Sequence, residues 1–365
     1  MNVVGFIRDN GGCGFYRVRQ PLEVMRNNGV KVNFIEKGDK AHDISSRITD
    51  ADIFVVPRPS ENEMLAFFPT VRAYGKKLIV EHDDNLLAVT PLSQHYKEWG
   101  TEEVKLERNG KLIDLWIDGK TIDIAANRER IDNVKRAINE ADALTVTTAE
   151  LAEAYKEYNE NIFVLPNCVD LDLWKKLPLK KENDDIRLFW SGGASHYEDW
   201  VQIQEVLPVL FDKYKNLKLV LLGTKFDGTL RNIPADRIEH HQWVPTPAYP
   251  YKVSILNGDI GIVPLQDTLF NRGKSALKWI EQAALSIPCV TSALTPYIQM
   301  DEVNNGVFIE NNSVEGWIQG LSLLIEDPLL RWQMGGEAHN TVKRRFDINK
   351  EWKQWETAYR KVIEV

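Results

Sequence analysis

Residues 270–281 read FNRGKSALKWIE and crowd four ionisable side chains together: Arg272, Lys274, Lys278 and Glu281. On a helix, Lys274, Lys278 and Glu281 fall at i, i+4 and i+7, on one face. Arg272 and Lys274 would stand at its N-terminus, where the macrodipole already disfavours cations. Lys274 and Lys278 also repel each other across one turn. A phosphate or diphosphate, an anion that the sequence does not supply, would relieve this crowding. The plainer reading is a solvated face with a Lys278–Glu281 pair, but the apolar flanks of the segment favour the anion.

Two glycine turns could serve the same chemistry. Ser191-Gly192-Gly193 follows an apolar run ending at Trp190 and leads into a helix, a layout that brings backbone N–H groups close to a phosphate. Asn10-Gly11-Gly12-Cys13-Gly14 follows the first apolar run, and Arg17 and Arg19 come next, which fits an anion or a sugar phosphate. Tight turns need glycine in any case, so neither loop is specific alone. His82-Asp83-Asp84 closes a predicted strand at its carboxyl edge, where open α/β sheets place ligands. A histidine beside two carboxylates can do acid–base work, orient a sugar hydroxyl or bind a divalent metal. Taken by itself, the triplet favours the plainer reading, an Asp N-cap beside a satisfied histidine. No GxGxxG with a downstream acid, Walker A loop, GxSxG or HExxH occurs, so NAD-dependent, P-loop and serine-hydrolase readings lose their support. His240 and His241 are adjacent and would face opposite sides of a strand, a poor joint metal site.

The elements that must position these residues alternate regularly. Apolar runs at 2–7, 30–35, 51–56, 77–81, 143–147 and 162–165 read as strands, with helices at about 16–28 and 150–158 between them. After a Pro-, Asn- and charge-rich segment, 166–185, the rhythm resumes. Strands are expected at 186–190, 217–222, 239–244, 260–263, 289–291 and 306–309, and helices at 201–215, 275–285, 314–325 and 351–363. The fold class is therefore α/β, two tandem Rossmann-like domains. One stretch departs from the pattern. Residues 104–124 alternate around Asn109-Gly110 and Asp118-Gly119, which predicts a three-stranded antiparallel meander, either a structural lid or an acceptor-gripping module. The expected division is 1–168 (insertion at about 100–125), 169–345, and a closing helix, 346–365, packing back toward the first domain.

Composition excludes whole classes. The chain has 365 residues, 43% hydrophobic and 27% charged, with a formal net charge of −8, so bulk polyanion binding would need a local basic patch. Three scattered cysteines, Cys13, Cys168 and Cys289, argue against a disulfide framework or a zinc site and fit a reducing, cytoplasmic setting. Arg8 and Asp9 interrupt the first apolar run, so no signal peptide is expected, and no run approaches the ~18 residues of a membrane span.

These segments together resemble the GT-B-fold glycosyltransferases, most closely the retaining family-4 group. The resemblance rests on the first glycine loop, on 80–84 (VEHDD), on 141–148 (ADALTVTT), on the linker-like 164–170 (VLPNCVD), and most specifically on 259–265 (DIGIVPL) and 274–290 (KSALKWIEQAALSIPCV). It implies an enzyme that moves a sugar from a UDP- or GDP-sugar to a hydroxyl acceptor with retention; fixed cations and helix N–H groups aimed at the diphosphate can replace a metal, so none is expected. By resemblance, Glu281 binds the ribose hydroxyls and residues near Trp243 and Val244 line the base pocket. Lys278 and the loops at Gly12, Gly14, Ser191, Gly192 and Gly193 belong to the donor site. Arg272 and Lys274 meet the diphosphate, His82 contacts the transferred sugar, Asp83 or Asp84 orients donor or acceptor, and Arg17 meets the donor phosphate or an acidic acceptor. The acceptor is left open: a glycan, a lipid-linked or small molecule, or a hydroxymethylated DNA base, which would need a basic stripe from Arg8, Arg17, Arg19, Lys105, Arg108 and Lys111. Two departures matter. The family's second glutamate, eight residues before Glu281, is Gly273 here, and the family's Arg and Lys after the first strand of the second domain are replaced by Ser191, Ser195 and His196. A catalytically inactive nucleotide-sugar-binding or regulatory protein is the alternative.

Overall fold

The computed structural model describes residues 1–9, 11–36, 38–39, 41–179, 183–300, 302 and 304–364. Asn10 of the first glycine loop and residues 180–182 of the expected linker therefore lie outside the described residues. The chain divides into two units. The first comprises Met1–Pro166, Thr268–Lys274 and Lys350–Val365, and the second Asn167–Asp267 and Ser275–Asn349. The chain thus leaves the second unit for seven residues, contributes them to the first, and returns.

The first unit holds strands β1 (Asn2–Ile7), β2 (Lys31–Glu36), β3 (Ile53–Pro57), β4 (Lys77–His82), β5 (Val104–Arg108), β6 (Lys111–Trp116), β7 (Ala143–Val146) and β8 (Ile162–Val164). Six of them form one sheet in the order β2-β1-β3-β4-β7-β8. Every neighbouring pair is parallel, with Val3 beside Ile53 and Ile79 beside Ala143. Helices cover both faces of such a sheet, so its central strands can be apolar throughout. All five residues of β3, IFVVP, are indeed buried. Phe54, Val56, Leu78, Val80, Val134, Leu144 and Tyr155 lie in one core. Trp355 and Tyr359 of the C-terminal helix Ile348–Glu364 are also buried.

The insertion differs from the expected meander. Asn109 and Gly110 both adopt positive φ, as a type I′ turn requires, and close an antiparallel β5–β6 hairpin. No third strand follows. Gly119 alone takes positive φ in the second turn, which ends in an isolated Asp118–Ile122 bridge. Asp123 then accepts the Ala126 N–H as N-cap of the helix Ile124–Glu140, so the residues that a third strand needs are already used.

The second unit holds β9 (Ile186–Gly192), β10 (Leu217–Gly223), β11 (Ile238–His241), β12 (Ile260–Val263), β13 (Cys289–Ser292) and β14 (Val307–Ile309). Their order is β11-β10-β9-β12-β13-β14, parallel throughout. The long helix expected at 201–215 is two shorter ones, Tyr197–Val201 and Val206–Lys213, and the strand expected at 239–244 ends at His241. Among the described residues no helix is long and apolar enough to cross a membrane, and none of the three cysteines forms a disulfide.

Candidate functional site

Polar side chains gather at the carboxyl edge of each sheet. In the first unit β4 ends at His82, whose imidazole is fully buried against the Tyr155 ring, 5.2 Å between centroids. Neither ring nitrogen has a hydrogen-bond partner. Burial, reinforced by the Arg58 charge, pulls the His82 pKa down to about 3, so the ring is neutral and presents one donor and one acceptor. Asp83 stands 3.7 Å from the Arg58 guanidinium, and Asp84 stands 3.4 Å from the Lys274 ammonium. Burial alone would raise the Asp84 carboxyl, but Lys274 and Arg58 outweigh it and hold it below its ordinary value. Lys274 also lies 4.3 Å from the Phe270 ring centroid, a cation–π distance.

Arg58 is a member that sequence reasoning missed. It follows β3 in the left-handed region, φ 44°, uncommon for a non-glycine residue, with its N–H donated to Glu81 O at 2.9 Å. Its side chain also pairs with Asp9 at 3.3 Å. The signal was present as an arginine between Pro57 and Pro59 at a strand's carboxyl edge. His95, whose pKa burial lowers despite the nearby Asp84 charge, carried no comparable signal.

Three expected ligand contacts in this unit are corrected. Arg17 is fully buried. Its Nε and Nη2 donate to Glu81 at 2.7 and 3.1 Å, and Nη1 donates to Leu165 O at 2.6 Å. A guanidinium so enclosed has no face for a donor phosphate. Gly14 likewise serves the fold, because its N–H and that of Gly11 donate to the Asp9 carboxylate at 3.2 and 2.8 Å. The anion of this loop is Asp9 itself. A Cβ at Gly14 would stand 2.2 Å from Asp9 O, which only glycine avoids; Gly12 is exposed. The basic stripe is also interrupted: Arg8 pairs with Glu61, Arg19 with Glu36, and Lys105 with Asp114.

The anticipated single-face cluster is divided. Arg272 ends the short helix Leu269–Arg272 and is exposed, and Lys274 precedes the helix Leu277–Ala284 instead of lying on it. Both belong to the first unit, whereas Lys278 and Glu281 belong to the second. Gly273 sits close against the first unit. Its carbonyl accepts the Thr148 hydroxyl at 3.0 Å, and a Cβ there would lie 3.3 Å from Asn85 Cβ and 3.5 Å from Leu151 Cδ1.

In the second unit Glu281 is buried and its Oε2 accepts the Tyr249 hydroxyl at 3.2 Å; the same hydroxyl lies 3.0 Å from Ser191 Oγ, at the end of β9. Trp243 stacks on Tyr249, 4.8 Å between centroids at 26°, yet remains 50% exposed. Val244 adjoins it in the chain. One turn before Glu281, Lys278 Nζ lies 2.7 Å from His196 Nε2, and His196 Nδ1 lies 2.7 Å from Asp199 Oδ2. Lysine can only donate, so Nε2 accepts and Nδ1 carries the proton toward Asp199. The other oxygen, Asp199 Oδ1, accepts the Gln266 N–H at 2.8 Å. Gly192 permits this packing, since a Cβ there would meet the Trp190 ring at 2.6 Å and His196 Cδ2 at 3.2 Å. Nothing lies within 4 Å of the position a Gly193 Cβ would take. Tyr249 and Asp199 were missed. The His196-x-x-Asp199 spacing was a usable signal, whereas Tyr249 carried none.

Solved structures share this architecture. Sucrose-phosphate synthase from Thermosynechococcus elongatus matches over 100% of both chains with a TM-score of 0.67 and 12% identity. HepE of Anabaena, in complex with UDP and glucose, matches over 99% of both chains with a TM-score of 0.68 and 10% identity. A glycosyltransferase from Rickettsia africae matches over 100% of this chain and 98% of its own, with a TM-score of 0.65 and 11% identity. The fold is GT-B. No protein-family model matches the sequence, and no curated protein matches it.

Proposed function

We propose that the chain is a nucleotide-sugar-dependent glycosyltransferase whose second unit holds the donor nucleotide. The arrangement Trp243–Tyr249–Glu281 with the neighbouring Lys278–His196–Asp199 chain carries this reading. An exposed indole face stacks a base, a buried carboxylate takes a ribose diol, and a lysine beside an open glycine turn meets a diphosphate. Tyr249 links Trp243 to Glu281, and Lys278 lies one turn before Glu281 on the same helix. Similar folds that bind UDP or UDP-glucose are consistent with it.

The chemistry is assigned to residues of the first unit. The acceptor hydroxyl attacks the anomeric carbon on the face that the leaving group departs from. The carbon–oxygen bond to the diphosphate breaks, the new glycosidic bond forms, and the acceptor proton passes to the departing phosphate oxygen. The products are a glycoside of retained configuration and a nucleoside diphosphate. His82, held neutral, hydrogen-bonds a hydroxyl of the transferred sugar instead of moving a proton. Lys274 offers positive charge to the growing diphosphate, with Arg272 as a second cation from the same segment. Asp83 and Asp84 orient hydroxyls. In this scheme protein cations supply the countercharge, so EDTA leaves turnover unchanged.

Gly273 favours a second reading, a nucleotide-sugar-binding protein without transfer, because the site it occupies has little room for the missing glutamate. The release of nucleoside diphosphate from a panel of UDP- and GDP-sugars separates the two. The transferase reading expects slow donor hydrolysis by the protein alone and faster release with an acceptor. Tight binding with no release, with or without a panel of glycan, lipid-linked and hydroxymethylated-DNA acceptors, supports the inactive binder.

A further inference from the structure

We propose that His196 is a further cation of the diphosphate site, beside Lys278, and that it gains its charge by taking up a proton when the nucleotide-sugar binds. The inference rests on the reading of the second unit as a nucleotide-sugar site. Nε2 accepts from Lys278 and Nδ1 donates to Asp199, so the ring stands between an ammonium and a carboxylate. Asp199 is buried and fixed by the Gln266 N–H, so it cannot follow a moving partner. Lys278 is the mobile member, because its ammonium sits on a flexible stem.

A diphosphate reaching this edge competes with Nε2 for the Lys278 ammonium. A phosphate oxygen is the stronger acceptor, so Lys278 turns to it and Nε2 loses its donor. The ring then lies between the Asp199 carboxylate and the phosphate charge, and both favour the imidazolium. One proton enters from solvent at Nε2, and the new N–H donates to the phosphate. The charged pair that results is Lys278 and His196, at the place where the sequence lacks the arginine and lysine common in this family. Two neighbours of the chain, Trp190 and Tyr297, carry no charge that opposes the change. The Trp190 ring meets His196 edge to face, 6.5 Å between centroids, and carries no charge. Tyr297, beside Asp199, stays a neutral phenol because burial raises its pKa. Lys278 itself disfavours the imidazolium until it has moved to the phosphate.

Calorimetric titration with UDP-glucose, and with GDP-glucose if uracil is not the base, tests this. A sugar nucleotide has no group of its own titrating near neutrality, so protons exchanged belong to the protein. The observed enthalpy, measured in buffers of low and high ionisation enthalpy, gives the number taken up. The wild type should take up close to one proton per complex within about pH 6 to 8, the histidine range. Its affinity should fall by up to about tenfold per pH unit as pH rises across that window. His196→Arg should bind with no proton uptake and no pH dependence, and His196→Gln should bind more weakly and equally flatly. If either variant fails to fold, judged by circular dichroism, the other carries the comparison. Wild-type binding without uptake, or uptake that persists in the folded variant, overturns the assignment of His196 while leaving the nucleotide site intact. If neither sugar nucleotide binds, the reading of the second unit falls and this inference with it.

Discussion

His82 ends β4, next to the buried Glu81, and buries two ring nitrogens with no partner. Each such atom costs about 1–3 kcal/mol, which a hydrogen-bonded sugar hydroxyl would recover. The same burial has a consequence for stability. The folded-state pKa of about 3 lies below the ordinary 6.5. Between those values the unfolded chain binds a proton that the native one does not. Stability therefore falls as pH drops below about 6.5, by up to about 1.4 kcal/mol per pH unit from this residue. Denaturant titrations of the wild type and His82→Gln at several pH values should show that slope in the first and its loss in the second; equal slopes would place the imidazole in contact with water. The lysines are expected to separate by kinetic parameter. Lys278→Ala should raise the donor KM by roughly 10- to 100-fold through loss of a charged hydrogen bond, whereas Lys274→Ala should lower kcat by about one to three orders of magnitude.

At the scale of elements, β1, β3 and β4 were legible because a parallel sheet covered on both faces demands continuous apolar runs. The helix starts at Asp123, Thr148 and Ser313 follow from side chains that accept N–H groups three residues on. What the chain order hides is partnership at a distance. Arg17 lies 64 residues from Glu81, and nothing local distinguishes an arginine that will be enclosed from one that meets a ligand. Burial pushes the Glu81 carboxyl up, to about 7, while Arg17 and the Thr145 hydroxyl pull against it. Removing one partner strands the other. Arg17→Met should destabilise the first unit by about 3–5 kcal/mol, read as a lower denaturation midpoint, and Arg17→Met/Glu81→Leu should regain much of the loss. A donor-binding arginine would instead leave the midpoint alone and raise KM. Trp355→Ala, emptying a fully buried site in the C-terminal helix, should cost about 3–5 kcal/mol.

Over the whole molecule, two six-stranded parallel sheets were legible as a repeated strand–turn–helix rhythm, and their carboxyl edges as the places for ligands. The excursion of Thr268–Lys274 into the first unit was not. Seven residues between Asp267 and Ser275 carry no linker composition, and helical spacing joined Lys274 to Lys278 where the structure assigns them to different units. The same excursion places Gly273 against Asn85 and Leu151, giving that glycine a packing reason independent of catalysis. The central claim is that the second unit is a nucleotide-sugar site built on Glu281, and thermal unfolding with UDP, GDP and their glucose conjugates tests it most directly. At about a hundred times its dissociation constant, a ligand should add roughly 2.7 kcal/mol to stability. The wild type should show a higher Tm with one base only, and Glu281→Ala should lose that shift. No shift with any of the four ligands, or an equal shift in the variant, would contradict the claim.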